Sequence, residues 1–307
     1  MYNYFLLHMN LFSLPKTEAE AIELLQYKGV LPKRRFCSNG HDMKLFVGPE
    51  VVWKCQIRSC DSSKKSVRMR VGNWFEGSRL SFVSAIRFIY CWSKEYTSIK
   101  WCEDELGMNK NTTVDWNSYM REACVHYLTT KMSEKIGGYG LIVEIDESVF
   151  SKRKNNVGRL LPQLWIFGGI CRQTSECFLV EVPDRNASTL IKVIEERIKP
   201  GTTIMSDCWK AYKTEVLEEA GFTHLKVNHS LNFVDPDSGA HTQTVERMWG
   251  SAKWRNKKQR GTKRDFMETY LAEFMSRQEV KSIDGCMFEW IIGRISILWP
   301  PATMSNY

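Results

Sequence analysis

A carboxylate inside an apolar strand pattern needs a reason, and the stretch Leu141 to Ser148, LIVEIDES, contains one. At a period of two, Leu141, Val143 and Ile145 share one face, and Ile142, Glu144 and Asp146 share the other. An ionised Asp146 there loses hydration unless a partner replaces it. A divalent metal ion is one such partner, and a strand-end aspartate that caps a turn is the competing reading. Two later acids extend the pattern: Asp207 ends the strand TTIMSD, and Glu246 stands in the helix TVERMWGSAKWRNKKQR. Carboxylates from two strand ends and a helix can hold a pair of divalent ions, Mg²⁺ or Mn²⁺, because Mg²⁺ takes oxygen ligands and leaves room for water and a substrate phosphate. Two such ions activate the attacking oxygen and stabilise the leaving one in an in-line displacement at phosphorus. Glu144, Glu147, Asp184, Asp235 and Asp237 read instead as solvated-face or turn residues.

A second constellation lies nearer the N-terminus. Cys37 and His41 form a C-x3-H pair, and Cys55 and Cys60 a C-x4-C pair, with thirteen residues between them. Structural zinc takes four tetrahedral sulfur or nitrogen ligands, and two turns on adjacent hairpins supply them. Gly40 stands where a second cysteine would be expected in the usual knuckle, which makes His41 the least regular ligand. Buried free thiols are the alternative.

The elements that must position these groups follow from periodicity. The segment TEAEAIELLQYKG reads as a helix with Thr17 as its N-cap and Gly29 past its end. After the Cys/His module, Phe82, Ile86, Ile89 and Tyr90 mark one helix, SIKWCEDEL a second ending at Gly107, and Trp116, Tyr119, Met120, Ala123, Cys124, Tyr127 and Leu128 a third that starts after Asn109 or Asn111. Short helix, glycine turn and longer helix suit a helix-turn-helix, whose Lys110 and Asn111 would meet DNA; a plain helical scaffold explains the same pattern. From Gly137-Gly138 the period switches to alternation. Three strands, the helix NASTLIKVIEERI capped by Asn186, the strand ending in Asp207, the helix CWKAYKTEVLEEAG and the strand HLKVNHS give an α/β order. In the last helix Val245, Met248, Trp249 and Ala252 form the buried stripe. Cys208 and Trp209, beside Asp207, are expected to pack.

These boundaries divide the chain into an N-terminal helical arm (1–30), a zinc-ribbon-like module (31–79), a helical module (80–136), an α/β domain (139–278) and a C-terminal segment (279–307) to which the sequence assigns no role. The chain has 307 residues, with 43% hydrophobic and 12% aromatic content, which excludes a disordered protein. Its net charge of +8 points to an acidic partner, with nucleic acid first. The run KWRNKKQRGTKR carries much of it; Lys253, Arg255, Lys257 and Lys258 are expected to contact phosphate rather than read bases, and the run also suits a nuclear-import signal. A solvated helix end is the alternative. Ten cysteines without a signal-like leader read as reduced thiols or metal ligands, and neither terminus reads as a membrane element.

From Leu31 to Arg277 the chain resembles the DDE transposases of the Merlin superfamily, related to bacterial ISXO-type insertion-sequence transposases. The matching pieces are the ribbon followed by WFEGSRL, then VEIDES, WIFGGI, VPDRNASTLI, PGTTIMSDCWKAY, VNHSLNFVDPDSGAHTQTVERMWGSAK and YLAEFMSR. The resemblance implies an RNase H-like catalytic fold with Asp146, Asp207 and Glu246 as the metal-binding triad, and Asn228, His229 and His241 near the site. The expected protein is a nuclear DNA transposase that binds terminal inverted repeats, cuts at element ends and joins the freed 3′ hydroxyl to target DNA. Mg²⁺ or Mn²⁺ would serve catalysis, zinc the ribbon, and a dimer or larger assembly would hold two DNA ends. A domesticated DNA-binding protein without transposition, and a stand-alone nuclease or resolvase, are the rival readings.

Overall fold

The computed structural model describes residues 10–60, 65–131, 134–150, 163–208, 212–227, 241–258 and 264–303, the last four of the 241–258 stretch as backbone only. The chain splits into two compact units, Met1–Tyr127 with Cys286–Tyr307, and Leu128–Gly285.

In the first unit, helix α1 (Glu18–Tyr27) is opened by a capping box between Thr17 and Glu20 and closed before Gly29, whose φ of 75° suits glycine alone. Strands β1 (Lys44–Phe46), β2 (Val52–Lys54) and β3 (Ser66–Arg68) form an antiparallel sheet in that order. Helix α2 (Phe82–Ser93) has Ser81 as its cap, and two further N–H groups at its start, Phe82 and Val83, donate to the Glu18 carboxylate at 3.1 and 3.0 Å. Helix α3 (Ile99–Leu106) runs from the Ser98 cap to Gly107 in the left-handed region. Helix α4 (Lys110–Thr130) starts at Asn109, whose side chain accepts from the Thr112 N–H at 2.9 Å. Trp116 anchors its buried stripe, edge-on to Trp74 and Phe88 at 5.4 and 5.6 Å. Tyr119, expected in that stripe, is 44% exposed because it lies off the line joining Trp116, Met120 and Ala123.

The second unit is built on a five-stranded mixed sheet. Strands β4 (Ile142–Val149), β5 (Trp165–Cys171) and β6 (Cys177–Val182) run antiparallel in sequence; after helix α5 (Ala187–Arg197), β7 (Thr203–Asp207) pairs parallel to β4, and after helix α6 (Thr214–Glu219), β8 (Thr223–Val227) pairs parallel to β7. The strand order is β6-β5-β4-β7-β8. One face packs Val143, Ile145 and Phe167 on Leu190, Val193 and Ile194 of α5 and Leu217 of α6. The other packs Ile166, Ile170 and Leu179 on Val245, Met248 and Trp249 of helix α7 (Gln243–Lys258) and on Met267 and Leu271 of helix α8 (Met267–Ser282). Alternation on β4 thus serves two cores at once.

Two expected elements need correction. Of the helix expected after Asp207, the described residues form helix from Thr214, while Tyr212, 1% exposed, bonds Glu147 and residues 209–211 lie outside the described residues. Asn186 makes no cap at α5; the Asp184 carboxylate instead accepts from the Asn186 N–H and the Thr189 hydroxyl. The C-terminal segment contains helix α9 (Met287–Leu298), which buries Phe288, Ile291, Ile292 and Ile295 in the first unit, with Phe288 against Tyr90 of α2 at 5.8 Å. Among the described residues, no helix is long and apolar enough to cross a membrane.

Candidate active site

Strand β4 places Asp146 opposite Gly168 of β5, on the face that packs α7. Asp207 ends the neighbouring strand β7, and Glu246 lies in the first turn of α7. Burial, then the negative charge of Asp207, push the Asp146 carboxyl up to about 6, and Glu246 adds a smaller push. The Glu147 backbone N–H, 2.8 Å from Asp146 Oδ1, and the Trp249 indole act in the opposite direction. The Trp249 N–H is buried and reaches no acceptor within hydrogen-bond geometry among the described residues, although its dipole favours the charged aspartate. The three acids therefore feel one another. Among the described residues their oxygens do not close into a tight ligand cluster.

A fourth acid joins them that the sequence reading set aside. Glu147 is not a solvated-face residue: its side chain is 4% exposed, accepts from the Tyr212 hydroxyl, and lies 4.0 Å from Arg185 Nη1. Burial first, then Asp146 and Asp207, raise its carboxyl to about 8 against the pull of Arg185. Burial and nearby negative charge hold both carboxyls above their ordinary range, and carboxylate oxygens are the donors that a hard divalent cation takes.

Glu144 is likewise buried, at 0% exposure, rather than solvated. It accepts from Arg172 Nε at 2.5 Å and from the backbone N–H groups of Thr244 and Val245 at 2.7 and 2.9 Å. Behind Asp207, the Ser206 hydroxyl donates to the Asp207 carbonyl at 2.8 Å and lies 2.9 Å from His224 Nε2, while Thr214 Oγ1 lies 3.1 Å from His224 Nδ1. Burial, then Lys226, lower the His224 pKa to about 4. A neutral ring thus ties the carboxyl end of β7 to β8 and α6. Sequence alone had one signal for it, a histidine in an apolar strand.

The remaining predicted residues divide. Lys253 bonds the Ser148 hydroxyl and sits over the rings of Phe150 and Trp249, 5.5 and 6.0 Å from their centroids. Lys110 and Asn111 are exposed in the first turn of α4. Cys208 is exposed rather than packed. The side chains of Arg255, Lys257 and Lys258, and residues Trp209, Asn228, His229, Asp235 and Asp237, lie outside the described residues. His241 is described, and its Nδ1 lies 3.5 Å from Glu144 Oε1.

The Cys/His set does converge. Cys37 and His41 lie in the turn before β1, bridged by a Cys37 N–H to His41 carbonyl bond at 3.0 Å, and Cys55 and Cys60 follow β2. All four ligand atoms are within 4.8 Å of one another, with Cys37 Sγ 3.6 Å from His41 Nδ1 and 3.8 Å from Cys60 Sγ. Zinc–sulfur bonds of about 2.3 Å in a tetrahedron put sulfurs roughly 3.8 Å apart, so this Cys₃His set fits structural zinc. Burial alone would raise the Cys37 thiol, but the N–H groups of Asn39 and His41 and the thiols of Cys60 and Cys55 bring it down to about 7, toward the thiolate a metal needs. Gly40, where a cysteine was expected, has φ of 76°, which explains its identity.

Residues 140–279 match the ISXO2-like transposase domain family. The chain is related to the ISXO-type DDE transposases. An uncharacterized transposase-like protein of Haemophilus influenzae (strain ATCC 51907 / DSM 11121 / KW20 / Rd) is 29% identical over 108 residues, which is 34% of this chain and 85% of that one. A chain of the simian T-cell lymphotropic virus intasome in complex with PP2A regulatory subunit B56 gamma shares 15% identity at a TM-score of 0.30, over 46% of this chain and 50% of its own length. The ISXO-type match spans every element that carries Asp146, Asp207 and Glu246, and it gives the chain a transposase-related function.

Proposed function

We propose that this chain is a DDE-type DNA transposase of the Merlin superfamily, which binds terminal inverted repeats, cuts phosphodiester bonds at the element ends and transfers the freed strand to target DNA. The observation that carries this reading is the placement of Asp146 on β4, Asp207 at the end of the neighbouring parallel strand β7 and Glu246 in the first turn of α7, all within the segment that matches the ISXO2-like transposase domain. The strand order, with β5 antiparallel beside three parallel strands, supports an RNase H-like catalytic fold.

Asp146, Asp207 and Glu246 would hold Mg²⁺ or Mn²⁺, which when bound supplies Lewis-acid stabilisation to the oxygens entering and leaving phosphorus. Around that centre the chain orients the DNA. The Lys253 ammonium, presented at Ser148, binds a phosphate oxygen beside the acids, and the basic residues that follow carry the strand away. Water adds to phosphorus as the bond to the 3′ oxygen breaks, leaving a 3′ hydroxyl; that hydroxyl then attacks a target phosphodiester and displaces the target's own 3′ oxygen. In the first unit, α3 and α4 serve as a helix-turn-helix that presents Lys110 and Asn111 to double-stranded DNA, and a zinc-loaded ribbon supports it. Two ends in one reaction call for a dimer or larger assembly, working in the nucleus of a eukaryotic host.

The test is cleavage of DNA carrying the element's own ends in Mg²⁺ or Mn²⁺. Asp146→Asn, Asp207→Asn and Glu246→Gln should each abolish it while DNA binding persists, since neutral amides lose the charge that holds the ions. A fully active variant would remove that residue from the triad. Absence of cutting by the native chain on such ends would overturn the function.

A further inference from the structure

The first turn of helix α7 gives two of its amides to a carboxylate on the sheet. The Glu144 carboxylate, fully buried in mid-β4, uses one oxygen for Arg172 Nε at 2.5 Å and the other for the N–H groups of Thr244 and Val245 at 2.7 and 2.9 Å. Arg172 in turn donates from Nη2 to the His241 carbonyl at 2.6 Å, so the residue entering the helix and the helix start are gripped by one ion pair. His241 Nδ1 is buried beside the same carboxylate, 3.5 Å from Oε1, with no hydrogen-bond partner among the described residues. Glu246 follows Val245 directly, and its own N–H bonds the Thr242 carbonyl at 3.1 Å, inside the turn that Glu144 fixes. Asp146 stands two residues beyond Glu144 on the same strand face.

We propose that Glu144 and Arg172 are positioning residues that set Glu246 against Asp146 and so define the divalent-cation site. This rests on the proposed function for what the site does, but the clamp itself makes a separate claim about geometry. Negative charge is favoured at a helix N-terminus, the charge-assisted bond to Arg172 holds the carboxylate in place, and losing it frees the turn that carries the third acid. Neither residue touches substrate.

The experiment uses the full, zinc-loaded chain and Mn²⁺ as the probe, with free Mn²⁺ followed by electron paramagnetic resonance and DNA cleavage measured separately. Glu144→Gln should keep the fold by circular dichroism, weaken Mn²⁺ binding about tenfold or more, and speed amide exchange at Thr244 and Val245 while leaving Met248 protected. Glu279→Gln, which breaks the Lys131 pair elsewhere in the same unit, should leave Mn²⁺ affinity unchanged. A folded Glu144→Gln chain with native Mn²⁺ affinity overturns the clamp. Should that variant fail to fold, Arg172→Lys decides, since it keeps the charge and loses the fork: a weakened Mn²⁺ site supports the clamp and a native one overturns it. Native Mn²⁺ binding without any DNA cleavage would sink the transposase reading and leave the clamp standing; absence of any Mn²⁺ site in the native chain would sink both.

Discussion

Lys253 reaches back from the third turn of α7 to the Ser148 hydroxyl, two residues beyond Asp146 on the same face of β4. A cation held at Ser148, two residues from Asp146, has a fixed place beside the acids of β4. Lys253→Ala should therefore lower cleavage by at least about tenfold, and reduce the slope of binding against salt by up to roughly one unit as one phosphate contact is lost. Equal losses for specific and unrelated DNA are expected. If only sequence preference changed, at an unchanged salt slope, Lys253 would be a base reader and not a phosphate ligand.

One zinc per chain is expected from the Cys37, His41, Cys55 and Cys60 set. Ligands assembled only in the folded state couple metal to stability, so chelation or Cys55→Ser should melt the three-stranded sheet. Metal analysis of chelator-free protein checks the stoichiometry, and a zinc-free preparation that unfolds at the native temperature would contradict the site.

Gly168, opposite Asp146, lets α7 approach the sheet: an added Cβ there would lie 2.7 Å from Leu179 Cδ2 and 2.8 Å from Trp249 Cζ2. Gly168→Ala should cost about 1–3 kcal/mol by overpacking, and shift the near-ultraviolet signal of Trp249. Gly250, one residue past Trp249, meets nothing within 4 Å. Gly250→Ala should instead stabilise by roughly 0.5–1 kcal/mol through helix propensity. Thermal melts of the two variants that moved the same way would refute this packing account.

His224 supplies a pH dependence of known sign. Its folded pKa of about 4 lies below the ordinary value of 6.5, so the unfolded chain takes up the proton first. The stability it contributes is complete above about 6.5 and is lost as pH falls toward 4, with a ceiling on the order of 3 kcal/mol. His224→Gln should flatten the denaturation midpoint across that window. Parallel curves for both proteins would show that another group drives the loss.

Much of this arrangement was legible in the chain. Alternation in LIVEIDES, the Thr17 cap, and the glycines at 29 and 107 announced their elements because each signal is local. What stayed hidden was long-range. Nothing near Glu144 or Glu147 tells that Arg172, Tyr212 and the start of α7 supply their donors, so both read as surface acids. Tyr212 read as part of a helix, while its hydroxyl bonds a strand 65 residues earlier. The segment 279–307 was given no role because the partner of Phe288 in α9 is Tyr90 on α2, far back in sequence.

Glu18 at α2 and Glu144 at α7 cap helices that follow them by 64 and 100 residues. The amides at the start of such a helix are satisfied in part by a residue far from it in sequence, so closing a long loop is part of holding the helix start. For α7 that means β4 must be in place, with Arg172 brought beside it by pairing with β5, before the turn bearing Glu246 is held. The turn that carries Glu246 is thus held only where β4 and β5 are paired, and its position belongs to the assembled sheet rather than to the helix alone.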